Sequence, residues 1–110
     1  VDVVRMTPDH PNREAMRAKF LAEHVHDDDE VRFFVEGAGM FYIRANGQVH
    51  ALECAAGDLI VLPRGITHWF DTGACPHFTA IRLFTTPEGW VARFTGDAIA
   101  NSIPLYAGAA

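Results

Sequence analysis

Short apolar segments separated by closely spaced turn residues fill the chain between residues 23 and 84. The clearest turn is Asn46-Gly47, which stands between two such segments, residues 40–44 and 48–54. Both central positions of a type I′ turn require positive φ, which Asn and Gly accept, so this pair predicts a two-residue β-hairpin. Six or more short strands at this spacing are typical of a β-barrel or a double-sheet jelly roll. The sequence therefore predicts an all-β fold.

The remaining elements follow from local patterns. Residues 1–6 are expected to form a strand, and residues 12–22 a helix that follows Pro11 and carries Met16 and Phe20 on one apolar stripe. Residues 31–36 and 40–44 are expected to form separate strands, because three residues containing two glycines stand between them. Residues 59–62 are apolar throughout and predict a buried strand.

Composition narrows the class of protein. With 110 residues, 49% of them hydrophobic, the chain is expected to be a single soluble domain over residues 1–110. The net charge is −5 and the 9 basic residues are scattered, which argues against nucleic acid as a partner. No apolar run approaches the roughly 20 residues that span a bilayer. We expect a cytoplasmic monomer, away from membranes, with Cys54 and Cys75 as free thiols.

Four residues have the spacing and chemistry of a metal site. His24 and His26 are two residues apart, so in a strand they share one face, and Glu30 follows an acidic turn. His68 follows a second turn after the apolar segment 59–62. The histidine pair alone would equally suit a surface position beside the acidic turn. With Glu30 and His68 added, three imidazoles and one carboxylate predict an Fe(II), Ni(II), Co(II) or Mn(II) site with two open octahedral positions.

Two motifs resemble the cupin superfamily. Residues 24–37 match Gly-(x5)-His-x-His-(x3–4)-Glu-(x6)-Gly without its leading Gly, and residues 57–72 match Gly-(x5)-Pro-x-Gly-(x2)-His-(x3)-Asn with Thr72 in place of Asn. Further stretches resemble the acireductone dioxygenase family of methionine salvage; they are residues 24–39, 68–71, 78–82, 87–90 and 94–97. This resemblance implies a cupin double-stranded β-helix, or jelly-roll barrel, with one N-terminal helix. Family members carry an additional N-terminal segment, so we expect the sequence to be a fragment.

The resemblance also implies a reaction. Members oxidise acireductone with O₂, giving formate and 4-methylthio-2-oxobutanoate with Fe(II), or formate, carbon monoxide and 3-methylthiopropanoate with Ni(II). Arg32 shares strand parity with Glu30 and is expected to point inward, and the family has a substrate-contacting arginine at the position of Arg82. The expected walls around the methylthio tail are Phe20, Phe33, Phe70 and Trp90.

Three alternatives stay open at this point. A β-bulge would turn Arg32 outward to a surface ion pair with Glu36 or Asp29. The domain would also suit another cupin dioxygenase, acting on a thiol or a flavonol. A cupin that binds a small ligand without catalysis is the third alternative, and two inward arginines argue against it because they match a charged chelate.

Overall fold

The computed structural model describes residues 2–84 and 92–106, which form mainly antiparallel β-structure. The one α-helix within these ranges, α1, spans Arg13–Leu21, and a short 3₁₀ helix spans Ile99–Ser102. The described helices are all too short and polar to cross a membrane. The strands are β1 (Asp2–Met6), β2 (His24–Val25), β3 (Glu30–Ala45), β4 (Gln48–Ala55), β5 (Leu59–Leu62), β6 (Thr67–Asp71), β7 (His77–Leu83) and β8 (Arg93–Phe94).

Strand β3 organises the sheet. It runs without interruption for 16 residues, so the expectation of two separate strands was wrong. Its first half pairs with β5 and β7, and its second half pairs mainly with β4 and β6. The strand order is β1-β7-β3-β6-β2-β8, with β4 and β5 as further partners of β3. The sheet therefore curls into two layers that share β3.

The glycines of β3 mark places where other chain segments approach closely. Gly37 has φ of 74°, and a Cβ atom there would lie 1.8 Å from the carbonyl oxygen of His77. A Cβ atom on Gly39 would lie 2.2 Å from the ring of Phe70. Glycine in a strand often indicates such an approach rather than a strand end, which explains why β3 continues through both residues.

An aromatic core fills the space between the two layers. Phe41 and Phe70 come from the layer containing β4 and β6, and their ring centroids are 4.6 Å apart. Phe34 and Phe78 come from the other layer and pack at 6.2 Å. These four rings are at most 2% exposed. The hairpin that joins β3 to β4 is confirmed, since Asn46 and Gly47 have φ of 54° and 74°.

Strand β5 alternates rather than lying wholly in the core. Ile60 and Leu62 are buried, whereas Leu59 and Val61 are more than half exposed. The prediction of a fully buried strand was therefore wrong. β5 lies at the side of its layer and has one face towards the core, so apolar residues on its other face remain uncovered.

Helix α1 is joined to the sheet by a partly buried ion pair. Arg17 donates to both carboxylate oxygens of Asp71 at 2.8 and 3.1 Å, and Asp71 is fully buried. Asp71 also accepts from the backbone N–H groups of Gly73 and Tyr106. Burial acts to raise the pKa of Asp71, but the hydrogen bonds from Arg17 and the two amides hold it below its usual value. One carboxylate thus connects α1, β6 and the C-terminal segment.

We expect Asp71→Asn to lower the free energy of unfolding by about 2 kcal/mol, because it leaves the partly buried Arg17 without its counter-charge. A carboxylate whose pKa is lower in the folded than in the unfolded protein stabilises the fold at pH values above its unfolded-state pKa. This stabilisation is lost as the pH falls through the folded-state pKa. In the variant, the free energy of unfolding should therefore fall less steeply below pH 4 than in the wild type. Urea unfolding at several pH values measures this difference. Asp27→Asn, at an exposed pair with Arg93, is the control and should change little.

Candidate metal centre

Three buried histidines converge at one end of the curled sheet. His24 in β2 is the direct cross-strand partner of His68 in β6, and His26 follows one residue after β2 ends. One ring nitrogen from each of these side chains lies within 4.8 Å of the others. The antiparallel pairing of β2 with β6 therefore brings together candidate ligands that are 44 residues apart in the sequence numbering.

Hydrogen bonds fix the tautomers of two of these imidazoles. Nδ1 of His24 lies 2.7 Å from the carbonyl oxygen of Ala22, and Nδ1 of His68 lies 2.9 Å from that of Ile66. A carbonyl oxygen only accepts, so each Nδ1 carries the proton and each Nε2 has a free lone pair. Nε2 of His68 is buried without a hydrogen-bond partner among the described residues. An unprotonated imidazole nitrogen without a hydrogen-bond partner is suited to bind a metal ion.

Electrostatics keep His24 neutral. Burial, and then the neighbouring His68, lower the pKa of His24 to about 4. A neutral imidazole at physiological pH is the form that binds a metal ion.

Glu30 lies beside the histidines and also pairs with an arginine. Its Oε1 is 3.3 Å from Nε2 of His26 and 3.5 Å from Nε2 of His68, while its Oε2 is 2.7 Å from the guanidinium of Arg32. Burial acts to raise the pKa of Glu30, but the neighbouring guanidinium of Arg32 holds it far below its usual value. Glu30 is therefore an anion at the edge of the histidine group, where the predicted fourth ligand would stand.

Arg32 points inward, as strand parity predicts. It is buried, and its guanidinium carbon lies 5.1 and 5.2 Å from the ring centroids of Phe41 and Phe70. Burial lowers the pKa of Arg32, while Glu30 acts to raise it. Nε of Arg32 has no hydrogen-bond partner among the residues the structure describes. The ion pair is thus with Glu30, instead of the surface pair with Glu36 or Asp29 considered above.

A cavity of about 300 Å³ opens beside the histidines, a volume at the lower end for small-molecule sites. Three cations and no carboxylate occur among its described lining residues, although the whole chain is acidic. Arg82 is one of the three, and it donates to both carboxylate oxygens of Asp2 at 3.0 and 2.7 Å. The cavity therefore suits a small anion. Its described lining is Lys19, Phe20, His24, His26, Arg32, Arg82, Ala92 and Phe94.

The predicted aromatic walls have different positions. Phe20 lines the cavity, and Phe70 packs behind it with ring centroids 6.2 Å apart. Phe33 is 39% exposed on the outer face of β3, so its predicted place in the cavity wall was wrong. The reason is the strand alternation that turns Glu30 and Arg32 inward, since Phe33 has the opposite parity. Trp90 lies outside the described residues.

Sequence comparison shows the family. Residues 1–92 match the family model of the ARD/ARD′ family. The chain is 67% identical over 106 residues to an acireductone dioxygenase from Parvibaculum lavamentivorans, a match that covers 96% of this chain. The chain belongs to the ARD/ARD′ family. A second ARD relative, the acireductone dioxygenase of Xylella fastidiosa, is 57% identical over 106 residues, again 96% of this chain.

Solved structures confirm the fold class of this ARD/ARD′ chain. Acireductone dioxygenase from Bacillus anthracis, with a cadmium ion in its active centre, superposes with a TM-score of 0.77 at 38% identity over 84% of this chain. An oxalate decarboxylase from Bacillus subtilis, 18% identical over 67% of this chain and 20% of its own, superposes with a TM-score of 0.55 and supports the fold alone. The predicted cupin jelly roll is thus confirmed.

This ARD/ARD′ chain is shorter than its relatives. It spans 58% of the Parvibaculum lavamentivorans protein, 56% of the Xylella fastidiosa protein and 54% of the Bacillus anthracis chain.

Sequence patterns missed one wall of the ARD cavity. Strand β8 pairs with β2, and the ring of Phe94 packs against His24 with centroids 5.8 Å apart. The buried Glu23 holds the residues after β8, because its carboxylate accepts the hydroxyl of Thr95 at 2.7 Å and its carbonyl accepts the Thr95 amide. The signal available in the sequence was a carboxylate directly before a candidate ligand histidine. Glu23 thus holds the segment that carries the Phe94 wall beside His24.

We expect Thr95→Val to weaken metal binding by about 10-fold, because residues that support metal ligands contribute at this level. The substitution removes the hydroxyl that satisfies Glu23 and loosens the segment against His24. Titration with Co(II), followed by its visible absorption, measures the change. Thr79→Val is the matched control, since the Thr79 hydroxyl donates to Glu36 on the outer surface. Equal affinities for both variants would contradict the role given to Glu23.

Proposed function

We propose that this chain carries the catalytic domain of a metal-dependent acireductone dioxygenase, a single cupin domain over residues 1–110. The observation that carries the proposal is a three-histidine group that opens on a cavity lined by cations. Relatives of that name at 57–67% identity support the same reaction.

The donor set fits one divalent transition metal. His24, His26 and His68 would bind it through Nε2, and Glu30, whose Oε1 faces Nε2 of His26 and His68, would be the carboxylate ligand. Fe(II) or Ni(II), with Co(II) or Mn(II) as alternatives, would supply open coordination positions and the chemistry that couples substrate oxidation to O₂. The backbone carbonyls of Ala22 and Ile66 keep two imidazoles in the ligating tautomer.

The arginines would bind the substrate. Acireductone is an enediolate, and its negative charge would be stabilised by Arg32, whose Nε is buried without a partner among the described residues. Arg82 would add a second positive charge at the cavity, reduced by its ion pair with Asp2. Phe20 and Phe94 would exclude water and contact the apolar methylthio end, with Phe70 supporting Phe20 from the core.

We also propose which products the chain forms with each metal ion. With Fe(II) the products would be formate and 4-methylthio-2-oxobutanoate, and with Ni(II) formate, carbon monoxide and 3-methylthiopropanoate, within methionine salvage. A monomeric state and a cytoplasmic location stay predictions.

The test is O₂ consumption with acireductone by protein loaded with Fe(II) or Ni(II), together with product identification. It should be run on the 110-residue chain and on this chain joined to the additional length of the Parvibaculum lavamentivorans relative. His68→Ala is the metal-deficient control. Stoichiometric metal without O₂ uptake in either form would contradict the proposal, and tight binding of acireductone without turnover would favour a ligand-binding cupin.

A further inference from the structure

Lys19 is the only lysine in the sequence, and it lines the cavity beside the three histidines. The remaining eight of the nine basic residues are arginines. Lys19 is also exposed, so its side chain stands where the cavity opens to water. The one primary ammonium side chain of this sequence is thus placed where a small molecule would enter.

Helix α1 fixes the backbone of Lys19 against the sheet. Arg17 is held by two hydrogen bonds to Asp71, and the ring of Phe20 packs with its centroid 6.2 Å from that of Phe70. Lys19 lies between these two anchored residues in the last turn of α1. The backbone position is therefore fixed, and the flexible side chain of Lys19 can adjust to what the cavity holds.

The charge of Lys19 differs from that of the two arginines at the cavity. Arg32 lies 2.7 Å from a carboxylate oxygen of Glu30, and Arg82 donates to both carboxylate oxygens of Asp2. Lys19 forms no ion pair with any residue that the structure describes. Its ammonium group is therefore a positive charge at the cavity that no described carboxylate offsets.

A small anion with adjacent oxygen atoms matches this arrangement. An ammonium group offers three N–H donors and a point charge, and a cation at the opening of a cavity raises the local concentration of anions. This matters more in a chain with a net charge of −5, which repels anions elsewhere. We infer, resting on the function proposed above, that Lys19 is a substrate-binding residue that attracts the anionic enediolate and pairs with it at the cavity opening.

Oxalate tests this role without catalysis, because it is a small dianion with adjacent oxygen donors. Protein loaded with Co(II) is titrated with oxalate at low salt under nitrogen, and the visible absorption of Co(II) reports binding. Lys19→Gln should weaken oxalate binding by about 10-fold, the effect of losing one charge contact near a protein surface. The difference from wild type should shrink as salt rises, because ions screen an exposed charge. Lys19→Arg, which keeps the charge, should retain most of the affinity.

Arg64→Gln is the matched control, because it removes one exposed positive charge that is not part of the described cavity lining. It should leave oxalate affinity unchanged. A cation in the last turn also stabilises a helix, so a purely structural role for Lys19 would lower the free energy of unfolding in Lys19→Gln without changing oxalate affinity. Equal oxalate affinity in wild type and Lys19→Gln, or no oxalate binding by the wild type, would overturn the proposal.

Steady-state O₂ uptake with acireductone separates the role of Lys19 from the proposed function. In an active wild type, Lys19→Gln should raise KM by about 10-fold with a smaller change in kcat, because the ammonium group binds the substrate throughout the reaction. An unchanged KM in Lys19→Gln would overturn the role of Lys19 and leave the proposed function standing. An inactive wild type whose oxalate affinity still depends on Lys19 would contradict the proposed function and keep Lys19 as an anion-binding residue.

Discussion

His68→Ala is expected to lower metal affinity by more than about 100-fold, because it removes one of three converging ligands and opens the site to water. Nε2 of His68 is buried without a hydrogen-bond partner among the described residues, so this nitrogen is available to a metal ion. His24, with its lowered pKa and fixed Nδ1–H, would remain ready to bind but would have lost its cross-strand partner.

The measurement is metal content after dialysis against a weak chelator, together with a competitive titration for the dissociation constant. His50→Ala is the matched control, because His50 lies on the exposed side of β4 and belongs to no described group of ligands. Stoichiometric metal in His68→Ala at the wild-type dissociation constant would contradict the metal centre.

Arg32→Gln is expected to lower kcat/KM for acireductone by about 1000-fold, the upper range for removing one group that stabilises developing negative charge in a dry site. It also leaves Glu30 as a buried anion without its ion pair, so the free energy of unfolding should fall by about 3 kcal/mol or more. Stability and activity can be separated with Arg32→Lys, which keeps a charge beside Glu30 but loses the planar guanidinium.

Arg82→Gln is the matched control for this prediction. Arg82 lines the same cavity, yet its guanidinium already pairs with both oxygens of Asp2, so the expected loss is about 10-fold. Steady-state kinetics on folded, metal-loaded variants measures both effects. A larger loss for Arg82→Gln than for Arg32→Gln would reverse the roles assigned to the two arginines.

Local rules were sufficient for part of the candidate site. The period of two in a strand places His24 and His26 together, and the same period turns Glu30 and Arg32 to the interior. The same period places Phe33 on the outer face of β3 and excludes it from the cavity. Phe33 was wrongly predicted in the cavity wall because it was chosen by residue type instead of strand parity. The Asn46-Gly47 hairpin was predictable because positive φ is a property of the residues themselves.

Other features depend on contacts between distant segments. Gly37 and Gly39 suggested a strand end, whereas the close approach of His77 and Phe70 is what requires them, and those neighbours are more than 30 residues away in the numbering. The wall made by β8 was missed because a two-residue strand has no detectable period. Its position depends on hydrogen bonds to Glu23 and on pairing with β2.

By itself, the sequence determined the donor types, their spacing and the direction of each side chain along its own strand, because these follow from residue chemistry and the strand period. Only the tertiary structure decided that His68 opposes His24, that Glu30 pairs with Arg32, and that Arg82 pairs with Asp2. It also decided that β5 leaves one apolar side uncovered. Pairing between strands and the layer in which each strand lies depend on the whole sheet, and a local pattern carries no information on either.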